Sequence, residues 1–316
     1  MSDLVSIIIP CYNGEKTVAR CLESVLAQDH THIETIVVND GSVDGSAQVV
    51  ASYEAHFRER GMELRLVNQE NRGLAGAING GLAVFRGDYL CWIDCDDYLL
   101  PGSVSKRLRF LQEHPDIASV TSDALFFNED DLEHPVQKAS DGKPDLNNPH
   151  QFENHLRGQF IFCCGCHMVR TAAFLDVVPT RQIYPARRGQ NWQMLLPVFY
   201  KYKQAYLDEP LYAYILYRTS MSAGDTTKEQ YLRRYNDHRD IIHNTLASIE
   251  MPQAERKKHL NIYEGLYQRQ IFYLGVSFHD YPMILRGFSQ MVRYGEWNRK
   301  DFGWLWGLVE KRIKRK

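Results

Sequence analysis

The sequence lacks long apolar runs, an excess of charge of one sign and any signature of a secreted protein. Its 37 basic and 39 acidic side chains nearly cancel, leaving a formal net charge of -2. That balance gives no reason to expect nucleic acid as the main partner. No stretch approaches the roughly 20 apolar residues that a membrane-crossing helix needs, and residues 1–10 lack the basic segment of a signal peptide. We therefore expect a cytoplasmic protein.

Cysteine is scarce and odd in number. Seven cysteines, several of them in apolar stretches, fit reduced and packed thiols better than a disulfide framework. The densest group is CCGCH at residues 163–167. Thiolates and imidazole bind zinc, but structural zinc sites pair two such groups, and we see no second group. We favour a buried strand with small side chains for this segment.

Composition and periodicity indicate an α/β protein. With 44% hydrophobic and 24% charged residues, the chain is an ordinary globular protein of one large domain plus an appendage. Short β-branched runs alternate with segments of helical spacing, which specifies crossover units and a largely parallel sheet. Pro10 is expected to end the first strand, because proline cannot donate to a central ladder. The predicted strands cover residues 5–9, 33–38, 64–68, 89–93, 117–122, 160–169, 204–207 and 211–217.

Two further regions differ in character. Residues 128–157 form a long polar excursion, which is typical of a functional lid or a substrate-facing loop. From residue 227 the helical pattern becomes continuous, so we predict a first domain over 1–226 and a helical region over 227–316. The final stretch, FGWLWGLVEKRIKRK at 302–316, combines tryptophans with a basic tail. That combination is typical of an interfacial membrane anchor, and equally of a packed helix with a solvated tail.

The most informative stretch is GDYLCWIDCDD at residues 87–97, where an apolar strand ends in three carboxylates. The carboxyl ends of parallel strands line the crevice in which open α/β sheets bind ligands. Asp94 and Asp96 are two residues apart, so they share one side of an extended segment. Clustered carboxylates repel one another unless a cation or hydrogen-bond donors hold them, and a hard divalent ion suits such oxygens. A solvated acidic turn is the alternative at this point.

Four blocks together resemble the glycosyltransferases of family 2. They are VSIIIPCYN at 5–13, VNDGSVDG at 38–45, NRG at 71–73 with Asn79, and DCDD at 94–97. They follow the family's order over the first hundred residues. The resemblance implies a GT-A fold, which is a Rossmann-like, mostly parallel sheet flanked by helices, here with a C-terminal helical appendage.

The same resemblance implies an activity and its partners. Enzymes of this kind are inverting, hexosyltransferase-like and metal-dependent, with Mn²⁺ or Mg²⁺ as cofactor. The implied donor is a nucleotide diphospho-sugar, in the first place a UDP-sugar. The implied acceptor is a saccharide or lipid-linked saccharide of the cell envelope or an exopolysaccharide. Peripheral contact with the inner face of the membrane through the C-terminal tail fits such an acceptor.

Roles carry over by position from the resemblance. Asp40 matches the acid that hydrogen-bonds the nucleobase, and Asp94 and Asp96 match the motif that meets ribose and metal. Arg218, within YILYRTSMS at 214–222, lies in a region that resembles the loop closing over the diphosphate. The full predicted nucleotide-sugar set is Pro10, Tyr12, Asn13, Asp40, Asn71, Gly73, Asn79, Asp94, Cys95 and Arg218, and the predicted metal ligands are Asp94 and Asp96.

The resemblance breaks down at the catalytic base. Similar enzymes often read Glu-Asp-Trp at a helix start where this chain has Gln190, Asn191 and Trp192. An amide cannot accept a proton at neutral pH. Asp123, which ends a predicted strand, is the alternative base, while Asn191 could orient the acceptor hydroxyl or cap the helix. A noncatalytic nucleotide-sugar binding protein that has lost its base is therefore the competing hypothesis.

Overall fold

The computed structural model describes residues 3–218 and 224–305. The chain divides into two compact units, one comprising Met1–Gly224 with Ala247–Ile249, the other Asp225–Leu246 with Glu250–Lys316. The sequence predicted a division after residue 226. Within the described ranges, no helix is both long enough and apolar enough to cross a bilayer.

The first unit alternates strands and helices as predicted. Its first half contains β1 (Val5–Cys11), α1 (Val18–Leu26), β2 (Ile33–Asp40), α2 (Ser46–Ser52), α3 (Glu54–Glu59), β3 (Glu63–Gln69), α4 (Gly73–Leu82), β4 (Tyr89–Trp92), β5 (Tyr98–Leu99) and α5 (Ser103–Glu113). Its second half contains β6 (Ile117–Asn128), β7 (Gln137–Lys138), α6 (Phe152–Leu156), β8 (His167–Arg170), α7 (Thr171–Val177), α8 (Gln190–Lys201) and β9 (Lys203–Leu216).

These strands form one sheet in the order β3-β2-β1-β4-β8-β6-β9-β5, with β7 beside β6. The first four strands are mutually parallel, β8 runs antiparallel to both of its neighbours, and β6 pairs with β9 in parallel. Every residue of β1, β2 and β4 is buried, as expected for central strands covered on both faces. The predicted α/β class with a mostly parallel sheet is confirmed.

Pro10 does not end β1, contrary to our prediction. The strand continues to Cys11 and keeps its register with β2, where Pro10 lies opposite Val38. The N–H of Ile93 donates to the carbonyl of Ile8, so the polar groups of residue 8 face β4. Those of residue 10 point the same way, because the strand repeats every two residues. Since β4 has ended at Trp92, the N–H that proline lacks has no ladder partner to lose.

The second half of the sheet also departs from the predictions. β6 reaches Asn128, well beyond residue 122, and the two short strands predicted around Pro210 are one strand, β9. Pro210 lies opposite Asp123, where the β6–β9 register shifts in a bulge, and a bulge tolerates proline. The predicted strand over 160–169 is a 3₁₀ turn, Cys164–Cys166, followed by β8. The polar excursion at 128–157 contains β7 and α6.

The described part of the second unit ends in a helical segment at residues 299–305 and contains three complete helices before it. They are α9 (Lys228–Ser248), α10 (Gln253–Ser277) and α11 (Tyr281–Arg293). Phe272 of α10 packs with Ile284 and Met291 of α11 in a buried apolar cluster. Of the predicted tail, residues 306–316 lie outside the described residues, as do residues 219–222 of the predicted closing region.

Candidate functional site

The carboxyl edge of the parallel strands collects most of the predicted site residues. Asp40 ends β2, and Asp94 follows the last residue of β4 by two positions. β1 lies between these two strands and ends in Cys11, after which Tyr12 and Asn13 begin the next loop. The structure therefore brings the base-binding and metal-binding candidates to one edge of the sheet, where α/β proteins bind their ligands.

Asp94, Asp96 and Asp97 form the acidic cluster at this edge. One carboxylate oxygen from each lies within 4.8 Å of the others. Burial, together with the neighbouring Asp96, raises the pKa of Asp94 to about 7. Burial likewise raises the pKa of Asp96, and it raises that of Asp97 well above its usual value. Hard oxygens that repel one another in a partly dry site are a fitting ligand set for a divalent cation, which would relieve that repulsion.

Asp97 differs from the other two carboxylates because the protein already supplies its donors. The Tyr212 hydroxyl donates to one carboxylate oxygen at 2.7 Å, and the Ile215 N–H donates to the other at 2.8 Å. Gly165 makes room for that tyrosine, since a Cβ on Gly165 would lie 2.0 Å from the Tyr212 ring. Asp97 thus fastens the acidic loop to β9. Asp94, which accepts from the Cys164 thiol, and Asp96 are the predicted metal ligands and remain the candidates to bind an ion.

Arg20 supports the same loop and was missed in the sequence. Its guanidinium donates to the carbonyl of Asp96 at 2.6 Å and to the Tyr217 hydroxyl at 2.8 Å. The Tyr217 hydroxyl in turn donates to the Asp96 carbonyl. Arg20 lies within the amphipathic pattern of α1, and nothing in that periodicity distinguishes a buried positioning arginine from a surface one.

Of the two carboxylate oxygens of Asp40, one accepts hydrogen bonds from the protein and the other accepts none from the described residues. Its Oδ1 accepts from the Gln69 amide at 2.7 Å and from the Arg72 N–H at 2.9 Å. Among the residues that the structure describes, none donates to Oδ2. Pro10 lies in the adjacent strand, and Tyr12, which is 52% exposed, follows it. One carboxylate oxygen of the buried Asp40 is thus left without a donor, and the exposed Tyr12 begins the loop after the neighbouring strand β1.

Asn13 and Asn71 shape the surrounding loops. Asn13 adopts a left-handed φ of 51°. Its N–H donates to the Ser42 hydroxyl, and its side-chain oxygen accepts from the Val43 N–H, each at 3.0 Å. Asn71 is exposed, and its side chain accepts weakly from the N–H of Gly73 at 3.3 Å. Asn13 therefore ties two loops together, whereas Asn71 presents an amide to solvent at the site edge.

Asn79 has a different role from the predicted nucleotide contact. Its Nδ2 donates to the Ile183 carbonyl at 2.9 Å, and its Oδ1 accepts from the Ile183 N–H at 2.8 Å. The Ala75 N–H donates to the carbonyl of Ala186, and Gly73 lies against Arg187. Asn79 thus anchors residues 183–187 along α4. This arrangement brings Arg187 next to the Gly73 block.

Cys95 lies between the two predicted metal ligands in the sequence but faces another thiol. A Cβ on Gly14 would lie 3.0 Å from the sulfurs of both Cys95 and Cys11. All seven cysteines are free. In the described ranges, the acidic cluster is the group of potential metal ligands that the structure brings together, and no zinc set forms around residues 163–167.

Arg218 is paired with acids of the β6 end and not with the acidic cluster. Its guanidinium lies 2.9 Å from a carboxylate oxygen of Asp130 and 3.7 Å from one of Glu129. The side chain is 78% exposed, and solvent-exposed pairs of this kind contribute little to stability. The arginine can therefore exchange these partners at small cost.

Asp123 is not placed to act as the base that we predicted. It is fully buried, in the bulge between β6 and β9. Its Oδ1 accepts from the N–H groups of Ala124 and Ser140, and its Oδ2 accepts from the Ser140 hydroxyl at 2.6 Å. Asp123 therefore fastens the 139–140 segment to the sheet, and it has no access to an acceptor hydroxyl.

Both polar atoms of the Asn191 side-chain amide form hydrogen bonds. The Trp92 indole N–H donates to Oδ1 at 2.8 Å, and Nδ2 donates to the Phe162 carbonyl. The residue is only 7% exposed. Since α8 begins at Gln190 and its N-cap is Gly189, Asn191 is not the helix cap either. A position that requires one acceptor and one donor is matched to an amide and mismatched to a carboxylate.

We expect the Asn191→Asp variant to lose about 1–3 kcal/mol of stability at neutral pH, because a carboxylate would face the Phe162 carbonyl without a donor. The loss should shrink at low pH, where a protonated carboxyl can donate. Urea denaturation at pH 5 and pH 8 measures both effects. The exposed Asn147→Asp variant is the control, and equal behaviour of the two variants would contradict the amide-specific role.

The Tyr212→Phe variant tests the support of Asp97. It leaves a buried carboxyl without a side-chain donor, so we expect a loss of about 1–3 kcal/mol in free energy of unfolding. Tyr53→Phe is the matched control, since that hydroxyl donates to the carboxylate of Glu23 in an exposed pair. Urea denaturation in EDTA compares the two. A loss no larger than that of the control would show that Tyr212 does not hold the acidic loop.

Comparison with known proteins is consistent across sequence and structure. The model of the family "Glycosyl transferase family 2" matches residues 6–178. EpsE of Bacillus subtilis (strain 168), whose name assigns it to the glycosyltransferases, is 30% identical over 210 residues, or 66% of this chain and 71% of EpsE. EpsJ of the same organism, an uncharacterized glycosyltransferase, is 40% identical over 99 residues. That alignment covers 31% of this chain and 28% of EpsJ.

Solved structures share the fold at low sequence identity. Residues 1–349 of S. aureus TarS in complex with UDP-GlcNAc match with a TM-score of 0.64 and 18% identity, covering 92% of this chain and 81% of that one. The mannosyltransferase PcManGT from Pyrobaculum calidifontis, in complex with GDP-Man and Mn²⁺, matches with a TM-score of 0.54 and 14% identity. This structural match covers 99% of the present chain and 88% of the PcManGT chain. The predicted GT-A type architecture is confirmed.

Proposed function

The chain is a member of glycosyl transferase family 2, and from that membership we propose that it is an inverting, metal-dependent transferase. Its donor is a nucleotide diphospho-sugar, with a UDP-sugar as the first class to test. Its acceptor is a saccharide or lipid-linked saccharide used in cell-envelope or exopolysaccharide synthesis. The observation that carries the proposal is the convergence of Asp40 and the acidic cluster on one edge of the sheet.

The nucleoside half of the donor fits the Asp40 end of this edge. The free Oδ2 of Asp40 can accept a hydrogen bond from a ring N–H, and the exposed ring of Tyr12 offers a flat surface for a base. Asn71 and the Gly73 backbone flank this position. Asn13 and Asn79 contribute by holding the loops in place.

The diphosphate fits the Asp94–Asp96 end. These two carboxylates would hold Mn²⁺ or Mg²⁺, and that ion would neutralise the diphosphate as it leaves. Asp97 and Arg20 keep the two ligands in position through Tyr212, Ile215 and the Asp96 carbonyl. Arg187, beside Gly73, and Arg218, once released from Glu129 and Asp130, are the candidate cationic contacts to phosphate.

Inversion requires the acceptor hydroxyl to attack the anomeric carbon from the face opposite the diphosphate. A new C–O bond forms as the bond to the diphosphate breaks, and the hydroxyl proton must leave. Neither Asn191 nor the buried Asp123 takes that proton. We infer that it passes to a phosphate oxygen of the donor or to water. Asn191, in the first turn of α8, acts as a positioning residue that joins Trp92 of β4 to Phe162, which precedes the 3₁₀ turn.

The proposed setting is the cytoplasm, with peripheral contact at the inner face of the membrane. A lipid-linked acceptor would be presented at that surface. For residues 306–316 this membrane contact is inferred from the amino-acid sequence alone. Trp304, which precedes them, has a 54% exposed side chain.

The activity is tested by release of nucleoside diphosphate from a panel of nucleotide sugars, with Mn²⁺ and saccharide or lipid-linked acceptors. We expect turnover that EDTA abolishes and that Asp96→Asn lowers by roughly 100-fold or more, the scale of a lost charge-stabilising group. Asp116→Asn, in an exposed pair with Lys203, is the control. Turnover that resists both EDTA and Asp96→Asn would contradict a metal at this site.

The alternative is a binding protein without transfer, favoured by the amides at 190 and 191. Calorimetry distinguishes it from the enzyme. Metal-dependent binding of nucleotide sugar, with no diphosphate release across the acceptor panel, would favour the binding protein.

A further inference from the structure

Helix α11 exposes an apolar row beside a basic row. Leu285 and Val292 are 60% and 39% exposed, and they share one face because they are seven residues apart. Arg286 and Arg293 each follow by one position and form a neighbouring exposed strip. A third face of the helix is buried. Its buried residues are Ile284, Gly287 and Met291.

Aromatic side chains extend the apolar row beyond the helix. Phe288 of α11 contacts Phe302 with 4.9 Å between ring centroids, and Phe302 contacts Trp297 at the same distance. Phe302 and Trp297 are each 45% exposed, and Trp304 is 54% exposed. The exposed apolar and basic side chains of residues 285–304 are here together named the α11 face.

The charges of the α11 face have one sign. Four exposed basic residues belong to it, and within the described chain none forms an ion pair. They are Arg286, Arg293, Arg299 and Lys300.

The acids of the same stretch are directed inward. Asp301 is fully buried and accepts hydrogen bonds from Arg269 and Tyr273. The side chain of Glu296 packs over Gly265 of α10. No carboxylate among residues 281–305 is exposed. The face therefore combines accessible apolar rings with exposed positive charge, and residues 281–305 offer no exposed carboxylate.

We propose that the α11 face binds the surface of a bilayer that contains anionic phospholipids. Aromatic rings favour the headgroup region, and each nearby Lys or Arg is attracted to anionic lipid. A second copy of the chain fits less well, because a two-fold interface would bring four positive charges against four more. This inference rests on the peripheral membrane contact proposed above, and it assigns that contact to described residues.

Vesicle co-sedimentation of the full chain tests the proposal. We expect binding to vesicles of phosphatidylcholine with phosphatidylglycerol, and at least tenfold weaker binding to phosphatidylcholine alone. Arg286→Glu with Arg293→Glu should weaken binding to the anionic vesicles at least tenfold. Arg233→Glu with Lys257→Glu, two exposed basic positions of the same unit, is the charge-matched control and should bind far better.

A second variant tests the apolar part. Leu285→Ser with Val292→Ser should also weaken vesicle binding while leaving the thermal midpoint nearly unchanged, because both side chains are exposed. Equal loss in the control pair, or no preference for anionic vesicles, would overturn the proposal. So would chain self-association that the serine variant abolishes without any vesicle binding. These readouts need no donor sugar, so failure here is distinguishable from failure of the transferase activity, which is measured with a water-soluble acceptor.

Discussion

Mutual repulsion among three carboxylates at the end of a buried strand is the constraint on which this site depends. β4 leaves the sheet interior and at once places Asp94, Asp96 and Asp97 within one small volume. Burial and neighbouring charge both raise the pKa of Asp94 and of Asp97. At Asp97 the fold offsets this repulsion with hydrogen bonds, which the Tyr212 hydroxyl and the Ile215 N–H donate to the carboxylate. Asp94 instead accepts from the Cys164 thiol, a weak donor, and Asp96 lies near the Arg20 charge, so a divalent cation that carries a diphosphate would balance these two carboxylates.

A second layer of residues holds this arrangement without touching a ligand. Arg20 donates a hydrogen bond to the Asp96 carbonyl. Asn79 of α4 bonds to the 183–187 segment. Asn191 accepts from Trp92 and donates to Phe162. Asn191 occupies the position at which the family resemblance implies an acid. Its surroundings supply one donor and one acceptor, so the site is built around the amide. The chemistry proposed for this chain accordingly places no protein base at that position.

The sequence predicted the first half of the fold well, because the strands there are short segments rich in apolar residues and bounded by turn residues. The strand predicted over 33–38 is β2, which extends two residues further. Prediction was poorer after residue 122, where pairing depends on partners distant in the chain. The β6–β9 bulge joins Asp123 to Pro210, and no local pattern reveals that contact. The sequence also does not reveal that Ser140, distant in the chain, donates hydrogen bonds to Asp123. Asp123 was therefore predicted to be a catalytic base at the end of a strand.

Residue types at the site were predictable, but their orientation was not. Asp40 and the acidic cluster lie at one edge, as parallel strands require. Packing decides whether an amide side chain faces the site or bonds to distant backbone. The exposed Asn71 bonds only weakly to the nearby Gly73 N–H, whereas Asn79 donates to the carbonyl of Ile183. The central claim is that Asp94 and Asp96 jointly hold a divalent ion with the donor diphosphate. Electron paramagnetic resonance titration of Mn²⁺ with UDP present tests it most directly. We predict one tightly bound ion per chain, lost in the Asp94→Asn, Asp96→Asn double variant. Undiminished binding in that variant would contradict the claim.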